Sequence, residues 1–300
     1  MTLRFLDVFC RVFEKKSFSR AAEALFLTQP TVSSHIKALE DELEVKLFDR
    51  LGREVAPTKA GQLLYGYASE IERLNREARE AITQFSGQLR GRIEVGGSTI
   101  PGEYLLPDLI GRFRQTYPDI IASLHIGDTK EITAMVIEGR ADIGIIGAPV
   151  EDRRLDVADF AVDELILVAA PTFKDAAIVP KELETLPFIS RELGSGSRKT
   201  VEEAIQKTGL SPDALNVVAE MGSTEAVKSA VKAGMGLSII STFAVKDELS
   251  NGSLREVKLA GTPIRRTLYV ISHAVKAKSP ICQVFLDFIE KNGPLAQQGG

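Results

Sequence analysis

The stretch Ser17-Phe18-Ser19-Arg20-Ala21-Ala22-Glu23-Ala24-Leu25, followed after Phe26-Leu27 by Thr28-Gln29-Pro30-Thr31-Val32-Ser33-Ser34-His35-Ile36-Lys37-Ala38-Leu39-Glu40, decides how the N-terminal part folds. Ser19 is read as an N-cap ahead of an Ala-rich helix, and the chain breaks at Leu27-Thr28. Pro30 then suits the first turn of a further helix, whose apolar residues Val32, Ile36, Leu39 and Leu43 fall at i, i+4, i+7 and i+11. Two helices joined by so short a turn predict a helix-turn-helix. Upstream, Phe5, Leu6, Phe9, Val12 and Phe13 recur at helical spacing. Downstream, Leu47 to Thr58 combines an apolar anchor, a glycine turn at Gly52 and a stop at Pro57, which predicts a small β-wing carrying Arg50 and Arg53. Residues 1–58 are therefore expected to form a winged helix-turn-helix domain.

From residue 59 to about 88 no proline interrupts the chain. Leu64, Tyr67, Ile71, Leu74, Ala78, Ala81 and Phe85 step by threes and fours, a heptad seam on a rod of roughly 45 Å. Its charged flanks leave two readings: a helix paired with a second copy of itself, or a surface helix packed on its own domain. Self-pairing through Leu64, Tyr67, Ile71, Leu74, Ala78 and Phe85 is the expectation. After Gly91 the texture changes to short apolar strands alternating with amphipathic helices. Strands are expected at 92–95, 120–126, 141–146 and 165–169 with helices at 105–116 and 131–139, then a second series of strands at 188–189, 217–220 and 236–240 with helices at 199–208 and 224–233. A strand at 266–272 and a helix at 280–291 complete the chain. Consecutive βαβ units predict a mostly parallel sheet. The fold class is α/β, with two lobes around a hinged cleft, on the plan of periplasmic-type binding proteins: 91–162 with 267–300 in the first lobe and 163–266 in the second, linked by crossings near Asp163 and Arg265. The last residues, 297–300, are expected to be disordered.

Bulk properties exclude little else. The 300 residues are 44% hydrophobic and 26% charged, average for a soluble globular chain. No apolar run is long enough to span a membrane and no signal peptide is evident, so a cytoplasmic protein is expected. Cys10 and Cys282 are far apart, with no Cys or His at metal-ligand spacing, which speaks against a disulfide framework or a structural zinc. The net charge of −4 is unusual for a nucleic-acid-binding chain. Its distribution explains it: residues 1–60 hold ten Lys/Arg against nine Asp/Glu, and Glu40-Asp41-Glu42-Leu43-Glu44 puts much of that acid at the distal end of the last helix.

The quoted stretches, with Leu47-Phe48-Asp49-Arg50 and Thr58-Lys59-Ala60-Gly61, resemble the N-terminal domain of LysR-type transcriptional regulators. The opening strand Gly91-Arg92-Ile93-Glu94-Val95, the run Glu138-Gly139-Arg140-Ala141-Asp142-Ile143-Gly144-Ile145 and Ala233-Gly234-Met235-Gly236 are placed as in that family, so the resemblance spans residues 1 to 290. It implies a homodimer or homotetramer bound to double-stranded promoter DNA, with RNA polymerase as a further partner and a small-molecule effector in the interlobe cleft; no cofactor or metal is implied.

Packing Val32, Ile36 and Leu39 inward turns Gln29, Thr31, Ser34, His35 and Ala38 outward, toward a major groove. Gln29 can pair bidentately with adenine and Thr31 can offer its methyl to thymine. Pro30, Ser33, Ser34 and Lys37 complete the candidate contact set, with Arg53 for a minor groove or the backbone and Arg50 for DNA or a salt bridge. Ser33 can equally bond its own helix, His35 can sit idle on the surface, and Ser34 stands where many family members carry a basic residue. In the cleft, Gly96-Gly97-Ser98-Thr99, with Ile100 beside it, ends a strand just before a helix. Arg191-Glu192-Leu193-Gly194-Ser195-Gly196-Ser197-Arg198 can form an N–H nest at a helix start, with Arg198 directed at the cleft or paired with Glu202. The resemblance adds Thr129, Ser223 and Thr224. An anion, a carboxylate or sulfur oxyanion, is the expected effector; Gly-Ser turns that cap helices without any ligand are the alternative.

An enzyme or a two-lobe ligand-binding protein without DNA regulation is the rival reading. No Ser-His-Asp spacing, nucleophile elbow or P-loop supports chemistry at His35, His125 or His273, and neither cysteine is placed for a thiol switch.

Overall fold

The computed structural model describes residues 1–51, 54–85, 89–261 and 263–294, and its two compact units divide in the main at Arg90/Gly91. Arg53 and the tail 297–300 lie outside the described residues.

The first unit opens with α1 (Leu3–Lys15), α2 (Phe18–Leu25) and α3 (Gln29–Leu43). Ser17, not Ser19, caps α2, accepting the Arg20 N–H at 3.3 Å; the helix starts two residues earlier, taking in Phe18, itself a buried core residue. Thr28 caps α3 with Pro30 in its first turn. Phe9, Val12, Ala21, Val32, Ile36, Leu39 and Leu47 form one apolar core. Strands β1 (Phe48–Leu51) and β2 (Glu54–Pro57) pair antiparallel as the wing. Glu40 is buried at the end of α3, accepting the Leu47 N–H at 2.9 Å and Lys46 Nζ at 2.6 Å. One member of the acidic run thus fixes the entry to the wing. The long helix α4 (Lys59–Phe85) follows.

The second unit begins with β3 (Gly91–Ser98), a π-turn at Pro101–Leu105, α5 (Leu106–Thr116), β4 (Ile120–Gly127), α6 (Thr129–Glu138) and β5 (Ile143–Ile146). Here β3 lies parallel between β4 and β5. The chain then runs through β6 (Leu155–Ala169), β7 (Ala177–Ile178), β8 (Phe188–Arg191), α7 (Gly196–Lys207), β9 (Val217–Met221), α8 (Thr224–Lys232), β10 (Ser238–Ser241), α9 (Thr242–Ser250), β11 (Arg255–Leu259), β12 (Ile264–His273) and α10 (Pro280–Asn292). The mostly parallel sheet expected from the βαβ spacing is instead mixed, in the order β4-β3-β5-β12-β6-β11-β7 with β10 also on β6. Strands β6 and β12 cross between the lobes antiparallel to each other, Asp163 opposite Arg266 and Val162 opposite Thr267. β6 begins ten residues before the expected start at Leu165, and α9 and β11 were not expected from the sequence. Only the pairs β3–β4, β3–β5, β8–β9 and β11–β7 are parallel among the described strands.

Candidate functional site

At the start of α3, Gln29 and Pro30 are exposed, as are Ser34 and Lys37, while Thr31 and Ser33 are half-buried. Gln29 Nε2 donates to Ser33 Oγ at 3.1 Å, and the Thr31 and Thr28 hydroxyls lie 2.8 Å apart. The first turn is therefore held by its own polar side chains. His35 does not face outward with them: its ring packs on Phe5 of α1 at 5.1 Å, and its Nδ1 is buried. Arg50 lies on β1 opposite Val55.

The seam of α4 divides between two faces. Leu64 and Ile71 pack on the core of the first unit, beside buried Tyr65 and Ala68; Tyr65 stacks on Phe13 at 3.8 Å and donates to Glu14 at 3.2 Å. Tyr67, Leu74 and Ala78 are exposed, as are Leu63 and Ile82. The side chain of Phe85 is outside the described residues. Glu72, one of the charged residues flanking that seam, has a buried Oε1 facing α1, and burial pushes its carboxyl up to about 7.

In the second unit one cavity of about 690 Å³ gathers Ser98, Thr99, Ile100, Thr129, Ser195, Gly196 and Ser197. Three backbone features bring them there. The π-turn after β3 presses on Gly97, where a Cβ would stand 2.6 Å from Gly102 Cα. Thr129 begins α6, where Asp128 Oδ1 accepts the Glu131 N–H at 2.7 Å. Gly194, at φ +92°, turns the chain so that Ser195 caps α7. The cavity also collects Lys130, Lys199, Arg191 and Arg266 against Asp128 and Glu192, an excess of positive charge focused by two helix N-termini.

Three expected residues lie elsewhere. Arg198 takes the second of its two readings and more: Nε donates to Glu202 at 2.7 Å, and Nη1 to Glu220 at 2.8 Å and to the Arg191 carbonyl at 3.0 Å. Ser223 caps α8 through the Ala226 N–H at 3.1 Å. Thr224 is buried, accepting Arg191 Nη1 at 2.8 Å. It lines, with Arg191 and Arg198, a smaller cavity of about 60 Å³.

Sequence reasoning missed the cavity's cations as ligand candidates. Arg191 is held bidentately by Glu192 at 2.7 and 2.8 Å, bonds that keep the Glu192 carboxyl below the usual carboxylate range. Arg266 is paired at 2.9 Å with Asp163, whose side chain is 0% exposed and whose other oxygen accepts from Ser241 Oγ at 2.5 Å. Burial outweighs Arg266 and raises the Asp163 carboxyl above its ordinary value. Across the lobes, Tyr104 of the π-turn donates to Glu225 of α8 at 2.6 Å, and Lys228 bridges Glu225 and Glu248 at 2.8 and 3.0 Å.

Cys10 is buried, and burial pushes its thiol up, which disfavours the thiolate a redox sensor needs. No group of three or more His, Cys, Asp or Glu fit to hold a metal ion occurs among the described residues, and none of their helices is long and apolar enough to cross a membrane.

Residues 3–62 match the family model of the bacterial regulatory helix-turn-helix protein, lysR family, and residues 86–294 match that of the LysR substrate binding domain. The chain belongs to the LysR family. It is a DNA-binding transcriptional regulator with an effector-binding domain. Among similar LysR-type proteins, the HTH-type transcriptional activator CmpR of Synechocystis sp. is 34% identical over 96% of this chain and 94% of its own. A probable RuBisCO transcriptional regulator of Trichormus variabilis is also 34% identical, over 95% of this chain and 86% of its own. The solved regulatory domain of Synechocystis PCC6803 CcmR, in complex with 2-PG, matches at 30% identity and a TM-score of 0.60, covering 67% of this LysR-type chain and 96% of its own.

Proposed function

We propose that this regulator binds a small anionic effector in the 690 Å³ cavity between its lobes and that the bound anion changes how it engages promoter DNA. The observation that carries this reading is the convergence of Ser98, Thr99, Thr129 and Ser195–Ser197 with four cationic side chains on one cavity. Strand-end hydroxyls and helix N-termini solvate a carboxylate or oxyanion in place of water, and the neighbour CcmR regulatory domain was solved with 2-PG. Arg198, Ser223 and Thr224 then support the cavity wall without touching the ligand.

Gln29, Pro30, Thr31, Ser34 and Lys37 read or approach the DNA from the start of α3, with Ser33 holding Gln29 and with Arg50 and Arg53 on the wing. Residues 1–58 form the DNA-binding domain, 59–88 the dimerisation helix and 91–300 the effector domain. The exposed residues Tyr67, Leu74 and Ala78 of α4 meet a second copy, since an apolar stripe of this kind on a polar helix is stable against a partner, and such dimers pair into tetramers that recruit RNA polymerase. The protein acts in the cytoplasm by binding, not by catalysis. Effector binding shifts the population toward one lobe arrangement.

Calorimetric titration of the full chain with 2-PG, succinate and sulfate tests this. At least one is expected to bind wild type, and Ser98→Ala to weaken it roughly tenfold, the loss of one hydrogen bond to a charged group. No heat from any of the three would reject the anionic effector.

A further inference from the structure

The cavity contains a seat for a single oxygen-bearing group, formed by residues from three separate strands or strand ends. Asp163 and Arg266 stand opposite each other on β6 and β12 where the chain crosses between lobes. Their side chains are 0% and 9% exposed, and the pair is made through Nε and Nη2 of the guanidinium, each 2.9 Å from Asp163 Oδ2. Nη1 takes part in neither bond. It points instead to Gly147, just past β5: a Cβ added there would lie 3.6 Å from Arg266 Nη1 and 3.6 Å from Ser98 Oγ. The missing side chain of Gly147 thus leaves a gap between a neutral hydroxyl and a fixed N–H donor of a guanidinium, and all three residues line the 690 Å³ cavity.

We propose that the acidic group of the effector sits against Gly147, bonded by Ser98 Oγ and Arg266 Nη1, with Arg266 a ligand-binding residue and Asp163 a positioning residue that holds its far edge. The inference rests on the anionic-effector reading above and adds which group meets the charge. A guanidinium whose other edge is already bonded to a buried carboxylate loses little rotamer freedom on meeting an anion. Its position on the crossing strand also gives the bound charge direct purchase on the segment about which the lobes turn.

Two variants and two readouts test this in the full chain. Gly147→Ala places a methyl in the gap at ordinary van der Waals distances, 3.6 to 3.7 Å from its neighbours, so the melting temperature is expected to stay within a degree or two of wild type. Its affinity for whichever of 2-PG, succinate and sulfate binds wild type best is expected to fall at least tenfold. Arg266→Lys keeps a cation for Asp163 but has no second donor edge, and a comparable loss of affinity is expected. If wild type binds an anion and both variants bind it within twofold of wild type, the seat is overturned while the anionic-effector reading stands. If wild type binds none of the three, both are overturned together.

Discussion

Gln29 illustrates what a single position on a reading helix must do. It is exposed, yet its amide already donates to Ser33, so pairing with an adenine edge exchanges one hydrogen bond for two and costs little reordering. Gln29→Ala is expected to lose about 1 to 3 kcal/mol of promoter affinity and to relax preference at one base pair. Fluorescence anisotropy over a set of single-base operator variants reads both; unchanged affinity and an unchanged footprint would remove Gln29 from the base-reading set. At this scale the sequence was informative wherever the backbone does the aiming. Ser98, Thr99, Thr129 and Ser195 to Ser197 stand at strand ends and helix starts, and such junctions announce themselves by Gly, Ser and Thr. Arg191 and Arg266 were not legible in the same way, whereas the pairing of Arg198 with Glu202 was one of the two readings its i, i+4 spacing offered. An arginine's direction depends on which carboxylate claims it, and Asp163 is 103 positions from Arg266. His35 was misjudged as outward-facing for a related reason, since Phe5 of another helix offers it a ring to pack on.

Among elements, α4 was legible as one long helix because no proline or glycine pair breaks it, but its faces were not separable by period alone. The seam residues Leu64 and Ile71 serve the helix's own domain and the exposed ones do not, a distinction that only the packing of α1 makes. That packing also gives α4 a titrating residue. Glu72 faces Asp7, Arg11 and Glu14 of α1 and Arg76 of its own helix, and its carboxyl is raised from its ordinary 4.5 to about 7, chiefly by burial. A raised carboxyl holds its proton in the folded state while the unfolded chain has released it. Its stabilising contribution is therefore complete below about pH 4.5 and is lost as pH rises to 7. The melting temperature of residues 1–90 within the full chain is expected to fall between pH 5.5 and pH 8, and Glu72→Gln, neutral throughout, to flatten that slope. An identical slope in the variant would assign the pH dependence elsewhere. The early half of β6 escaped notice for a different reason: Asp156, Ala158, Asp159 and Asp163 break the apolar alternation, and the strand exists because β12 supplies its hydrogen-bond partners over ten residues.

Taken whole, the molecule is an acidic chain that nonetheless binds a polyanion, and the placement of charge reconciles the two. Glu40, part of the acidic run, is turned inward to hold the wing, and Lys37 stays exposed on α3. With Lys15 and Lys16, exposed at the C-terminal end of α1, Lys37 and a wing arginine as candidate phosphate contacts, the logarithm of affinity is expected to fall with the logarithm of salt at a slope of about −3 to −4 per subunit, near −0.9 for each phosphate neutralised. Binding isotherms between 50 and 200 mM salt measure it, and a much steeper slope would mean that a surface beyond these residues lies on the DNA.

Because Val162 stands opposite Thr267 and Asp163 opposite Arg266, the chain leaves the first lobe and returns to it on neighbouring rungs of one ladder. Everything between is, in topological terms, a single very long hairpin loop. In genetic terms it is a cassette: excising 163–266 leaves Val162 and Thr267 facing each other on one rung, a gap that a two-residue turn can close, and exchanging the cassette swaps one wall of the cavity while the other wall keeps both its sequence and its strand order.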